Sequence, residues 1–369
     1  MTSETNLNDK KSRSLWALGW KRLRRDHIGF ASLWVVGAFI LLALAGAVGV
    51  IGSGWRDEVA KPYAPPTLFR NLGPKHVELT AENIDAANQA AQQAAQPAAP
   101  TGQEGAAAPT TGETGLSAEE DPLAADMAEA QKNTGQYQEA QVVKAETLPM
   151  GADLRGRDVL QKVLKGTSTS LLVGLVGSLA AIFLGTLMGG FGGYFGRKVD
   201  DLLMWFYSVF TSVPDMLLLL AFSAVMRRGI STVILVMALT SWTGTFRLMR
   251  AEFMKHKTRE YVKAADAIGA SHVRRMFIHI LPNVTYLLLV QFSILTVALI
   301  KYEVILSFLG FGVSVTQISW GSMLAEAPAE LLQGYWWQMV CVTVFMSILV
   351  TAFSMLTDSL RDALDPKVK

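Results

Sequence analysis

Six apolar runs, each near the roughly 20 residues a helix needs to cross a bilayer core, leave this chain almost no soluble fold to adopt. Spans are predicted at Gly29–Ile51, Ser168–Tyr194, Leu202–Val225, Ile230–Met249, Val284–Leu309 and Tyr335–Leu356. Only 17% of the 369 residues are charged, against about 25% in ordinary soluble domains. In lipid every backbone N–H and C=O must be satisfied within the protein, so runs of this length fold as helices. The expected class is all-α: a polytopic membrane protein of six transmembrane helices. The first run follows basic residues and contains Ala43-Leu44-Ala45, as a cleavable signal would. It is nevertheless longer than the roughly 7–15 residues of a secretory apolar core, and reads as a retained anchor.

Charge gives the sidedness. The formal net charge of +2 conceals an acidic stretch from Arg56 to Glu146, where 14 acids face 6 bases. The remainder is basic: Lys10, Lys11, Arg13 and Lys21–Arg25 before the first span, Arg197 and Lys198, Arg250–Arg275, and Arg361–Lys369. All of these lie inside if both termini are cytoplasmic, the orientation favoured by the positive-inside rule. Arg227 and Arg228, and Lys162 and Lys165 before the second span, run against it. A single cysteine, Cys341, allows no internal disulfide. The five histidines show no ligand spacing, so no metal site is expected. No nucleic-acid partner is expected either.

Residues 82–146 are a different material, rich in Ala, Gln, Glu, Pro, Gly and Thr with few large aliphatics. Such a segment buries too little apolar surface to offset the entropy of ordering. It is read as a disordered or loosely helical external insertion within a loop over 52–167.

Three polar motifs and one row of glycines mark the chain. Gly151, Asp153, Gly156, Arg157 and Asp158 precede the second span; the glycines permit a tight turn, and the three charges suit a network fixing it. The second span ends in Gly185, Gly189 and Gly193, a row of small residues that lets a neighbouring helix approach. A cytoplasmic loop over 251–283 holds Glu260-Tyr261-Val262-Lys263-Ala264-Ala265-Asp266-Ala267-Ile268-Gly269-Ala270, then His279-Ile280-Leu281-Pro282. A short helix is predicted over 259–267, stopped at Gly269, and a second over 272–280, stopped before Pro282. The chain closes with Asp358-Ser359-Leu360-Arg361-Asp362-Ala363-Leu364-Asp365-Pro366. The stretch 189–198 lacks the order of a phosphate loop, so no nucleotide site is read there.

Two intramembrane features invite function. Lys301 and Glu303 are ionisable residues in an apolar run, where such groups usually face a bundle interior or water. Glu303 is a candidate for the translocation path, with a helix-to-helix hydrogen bond as the alternative. Pro214 and Asp215 mark a bend in the third span, either a gate or a packing kink.

Taken in order, these motifs resemble the permease subunits of the dipeptide, oligopeptide and nickel group of ABC importers. The 260–282 block resembles their EAA loop, 150–160 their GTDxxGRDVL signature, 306–312 their LSFLGxG stretch, and 358–366 their C-terminal DxLRDxLDP. The resemblance implies the ABC importer type I permease fold, in an inner membrane, with no catalytic site and no cofactor in this chain. It implies ATP and magnesium bound by two partner ATP-binding subunits, a homologous permease as the other half of the pore, and an external binding protein delivering peptide. Nickel chelates and glutathione-like compounds are alternative cargoes, and an ATP-independent secondary transporter is the competing class. The resemblance assigns coupling to Ala264, Ala265, Gly269, Leu281 and Pro282, within a contact zone also holding Glu260, Tyr261, Lys263, Asp266, Ala270 and His279. Lys263 stands where the wider family has Glu, and Trp205 and Ser208 stand where relatives often have Arg and Asp. The stretch 318–324 is read with 306–312 as an external re-entrant or interfacial loop.

Overall fold

The computed structural model describes residues 15–67, 144–314 and 316–364. Internal contacts divide the chain into residues 1–73 with 145–369, and residues 74–144. Of the second unit only Lys144 is among the described residues, so the low-complexity reading of 82–143 lies outside them.

The first unit is built of helices: α1 (Leu15–Leu23), α2 (His27–Val48), α3 (Val159–Phe195), α4 (Arg197–Thr211), α5 (Asp215–Val225), α6 (Ile230–Ser241), α7 (Thr243–Lys257), α8 (Glu260–Ala267), α9 (His272–Phe308), α10 (Trp320–Leu332) and α11 (Trp337–Leu364). Among the described residues, α2, α3, α9 and most of α11 are each long and apolar enough to cross a bilayer. Two bent pairs, α4 with α5 and α6 with α7, bring the possible spans to six.

The long α3 is the axis, packing against α2, α6, α7 and α9. The three spaced glycines explain its closest neighbour. A Cβ on Gly185 would lie 2.6 Å from Trp242 O, and one on Gly189 would lie 2.5 Å from Phe246 O. Backbone of α7 thus rests directly on backbone of α3, as dispersion-driven helix packing in lipid favours. On the other side, α11 packs against α2, α9, α10 and α1.

Four differences from the sequence reading have identifiable physical causes. First, α3 starts nine residues before Ser168: Asp158 caps it by accepting from Leu160 N at 2.8 Å, and Lys162 and Lys165 find partners inside the protein. Second, the third span is broken rather than kinked, with α4 and α5 meeting at 83°. Ser208, Thr211 and Ser212 turn their hydroxyls back onto carbonyls of α4, and Pro214 follows, so the helix is loosened before it is stopped. Third, the helix from His272 does not end before Pro282. It passes through a π-helical turn, Arg275–Ile280, in which Leu281 N bonds to Met276 O five residues back, and Pro282 takes the start of the α-helical continuation. The wider turn absorbs the missing proline N–H and its ring. Fourth, Trp320–Leu332 is a helix, started by a reciprocal capping box between Ser319 and Ser322, where a loop was expected.

At the N-terminal end of α3, residues 58–67 and 145–158 fold together through short backbone bridges, Ala60 with Ala145 and Pro66 with Leu148 among them. Ala145 and Glu146 therefore belong to this layer rather than to the insertion.

Candidate functional site

The 260–282 block forms a protrusion at the C-terminal end of α3. Glu260 sits in the first turn of α8, where the helix dipole favours an acid. The helix ends in a left-handed cap: Gly269 has φ +82°, its N–H bonds to Asp266 O at 2.9 Å, and Ala270 N bonds to Ala265 O at 3.0 Å. Val262 and Ala265 face inward, Val262 packing with Met276, Ile280 and Val284. Lys263, Ala264, Ala267 and Ile268 face outward, with Ile268 84% exposed. The two alanines expected to dock together are thus split, Ala264 exposed on the outer face and Ala265 turned into this chain's own core. Beyond Ile268, which the motif reading passed over, Val273, Phe277 and Ile278 add exposed apolar surface on α9. Leu281 and His279 are half-buried and Pro282 is exposed, with His279 O accepting from Asn283 Nδ2 at 2.7 Å.

A polar latch ties this protrusion to the bundle. Asp266 pairs with Arg275 at 2.5 Å, and Arg275 donates to His272 Nδ1 at 2.8 Å. The Tyr194 hydroxyl, at the end of α3, lies 3.1 Å from the same nitrogen. Arg275 and Lys257 both lie over the Tyr194 ring, at 5.9 and 5.5 Å from its centre. Because Arg is an obligate donor, Nδ1 of His272 is the unprotonated nitrogen. Tyr261 makes a separate 2.7 Å contact with His256 Nδ1. Of the latch, only Asp266 was singled out by sequence; Tyr194 lies 78 residues before the His272–Arg275 pair, with no spacing signal to join them.

The opposite end of α3 carries the predicted turn. Gly151 and Gly156 have φ of +79° and +77°, as the tight geometry required. Asp153 accepts from the N–H groups of Arg155 and Arg157 and pairs with the Arg157 side chain at 2.6 Å. Asp158 is not part of the ion network, because its carboxylate caps α3. Its place is taken by Lys162, fully buried, which donates to Asp153 at 2.7 Å and to Glu326 and Gln338 at 2.9 Å. Burial pushes the Asp153 carboxyl up, but Lys162 and Arg157 outweigh it and hold the group below the ordinary range. Nearby Glu330 is also buried, and desolvation, only partly offset by Lys162, pushes it up to about 7.

The pore candidates do not converge. Glu303 is fully buried and accepts from Ser170 and Ser307, each at 2.7 Å, while Ser170 also accepts from Trp320 N. This is the helix-to-helix arrangement. Lys301, two residues away, is exposed on another face of α9, so the two do not form a relay. Pro214 and Asp215 are exposed at the α4–α5 break. No residue of α4 is buried within this chain, and Leu202, Trp205 and Val209 are exposed on it.

The family model described as binding-protein-dependent transport system inner membrane component matches residues 181–369, just over half of the chain. The chain belongs to this family. A second model, the N-terminal TM domain of oligopeptide transport permease C, matches residues 14–74. The chain is 34% identical over 219 residues to the dipeptide transport system permease protein DppC of Bacillus subtilis, covering 59% of this chain and 68% of that one. It is 31% identical to the oligopeptide transport system permease protein OppC of the same organism, covering 59% and 72%. It is 34% identical to the glutathione transport system permease protein GsiD of Pectobacterium atrosepticum, covering 60% and 73%. As a binding-protein-dependent inner membrane component, the chain is a multi-pass membrane protein of the ABC importer permease class, with the all-helical type I permease fold. The matched region contains the whole α8 protrusion and its latch.

Proposed function

We propose that this chain forms half of the translocation pore of an ATP-driven peptide importer, taking dipeptides or oligopeptides from an external binding protein. The observation that carries the reading is the outward face of α8: a short capped helix with exposed Lys263, Ala264 and Ile268, latched through Asp266, Arg275 and His272 to the end of α3. Such a face suits the groove of an ATP-binding subunit that itself binds ATP and magnesium. Exposed Ile268, Val273 and Ile278 supply apolar contact, and the latch makes the protrusion move with α3 rather than flex on a tether. Movement of the partner then biases the bundle between two arrangements, a rigid-body switch. The unburied α4, beside the α4–α5 break, supports a second, homologous permease on that side, with Pro214 and Asp215 near the shared path. Both termini lie in the cytoplasm in this arrangement. A glutathione-like cargo is the second reading, favoured by the similarity to a glutathione permease.

Affinity purification of the tagged chain from its native membrane tests this directly. Two ATP-binding subunits and a second permease should copurify, and Ile268→Glu should release the ATP-binding subunits while the second permease stays. Purification without either partner would refute the assignment.

A further inference from the structure

At the end of the bundle opposite α8, a cavity of about 340 Å³ opens between α2 and α3. Ile40, Leu44, Leu171, Leu172 and Leu175 form its walls. Leu44 is 58% and Leu172 46% exposed, so the cavity opens sideways from two membrane-spanning helices, toward what is acyl chain in a bilayer. Its rim is of opposite character. Arg56 and Lys165 both line it, and among the described residues lining it there is no carboxylate; Asp57 and Glu58 follow Arg56 in sequence but do not reach it.

The rim is also held in place. Arg56 donates to Thr316 O and Lys165 to Gly46 O, each at 2.5 Å, and the Arg56 guanidinium stacks over Trp55 at 4.9 Å. Each contact uses one donor of a side chain that carries several, leaving N–H groups for an anion. Trp beside a cation is the usual furniture of a membrane–water boundary. Lys165 is also one of the cations that run against the charge bias of the loops. Its companion Lys162 is consumed by Asp153, Glu326 and Gln338, and among the described residues Lys165 has no acidic partner of its own.

We infer that this cavity holds an acyl chain of one anionic phospholipid, with its phosphate between Arg56 and Lys165. Apolar walls and a cationic rim at membrane depth match the two halves of such a lipid. The bound lipid would wedge α2 against α3, completing a contact that the two helices leave open.

The test uses the assembled complex in nanodiscs of phosphatidylcholine with and without phosphatidylglycerol, followed by a stringent wash and mass spectrometry of retained lipid. Wild-type complex should keep phosphatidylglycerol in preference to phosphatidylcholine. Arg56→Gln and Lys165→Gln should each lower that retention about fivefold, the attraction one cation contributes at a lipid surface. Leu172→Trp, which fills the mouth, should abolish retention of either lipid while leaving the assembly intact. Equal retention of the two lipids, or retention unchanged in the Arg56→Gln and Lys165→Gln variants, would overturn the inference. So would disulfide cross-linking of Leu172→Cys to the second permease, which would place protein in the opening.

Discussion

At the scale of single residues, the end of the bundle opposite α8 is governed by one buried ammonium. Lys162 is enclosed by Asp153, Glu326 and Gln338, so removing its charge leaves Asp153 buried with Arg157 alone. Breaking such a pair costs about 3–5 kcal/mol. Lys162→Met should therefore markedly lower the thermal midpoint in detergent, and the double change with Asp153→Asn should recover part of the loss. Asp153 and Glu330 act on stability in opposite directions. Asp153 is held below its ordinary value of 3.8, so its contribution is present above that value and lost as pH falls through the depressed one. Glu330 is raised from 4.5 to about 7, so its contribution is present below 4.5 and lost as pH rises through about 7. Midpoints measured from pH 4.5 to 8 should fall with rising pH in the wild type, and this fall should be shallower in Glu330→Gln.

At the scale of elements, the α3–α7 contact depends on the absence of side chains. Gly189→Leu should force the helices apart, at about 1–3 kcal/mol for overpacking or more because the obstacle is backbone. Gly37→Leu, on α2 with open space around it, serves as the control. Recovery of monodisperse protein after detergent extraction should drop for the first and hold for the second. The same row of glycines was legible in sequence because small residues at spacings of four have one dominant use in a lipid-spanning helix. The runs that became α2, α3, α9 and α11 were legible for a similar reason: length and hydropathy decide them with little help from tertiary structure. What escaped was whatever depends on partners distant in sequence. The early start of α3 requires acceptors for Lys162 that lie on α10 and α11. The π turn before Pro282 needs the α8 contact on Met276 and Ile280 to hold it. Helix α1 packs on α11 more than 300 residues later, with Arg22 donating to Ala363 O. The candidate site was half legible: its cap at Gly269 followed from residue type, whereas the Tyr194–His272–Arg275 latch did not. Arg275→Gln and Tyr194→Phe should leave partner binding intact yet reduce transport per ATP hydrolysed, since the protrusion would then move without α3. Coupling ratios in proteoliposomes would check this.

At the scale of the whole molecule, the insertion leaves and returns at neighbouring points. Thr67 N bonds to Leu148 O at 2.9 Å, and Ala60 bridges to Ala145. Joining these points with a short flexible linker is a small entropic change. Replacing residues 82–142 by a short Gly/Ser linker should therefore preserve membrane insertion and thermal midpoint, and any transport defect would locate a partner contact in the excised segment. In the proposed importer, energy enters this membrane protein mechanically, through the outer face of α8. Uptake of labelled dipeptide into proteoliposomes holding both permeases and both ATP-binding subunits, supplied with ATP and binding protein, tests this most directly. Ile268→Glu and Gly269→Asp should insert and pair with the second permease as the wild type does, while uptake falls to background. Wild-type uptake by either variant, or uptake by this chain reconstituted alone, would contradict it.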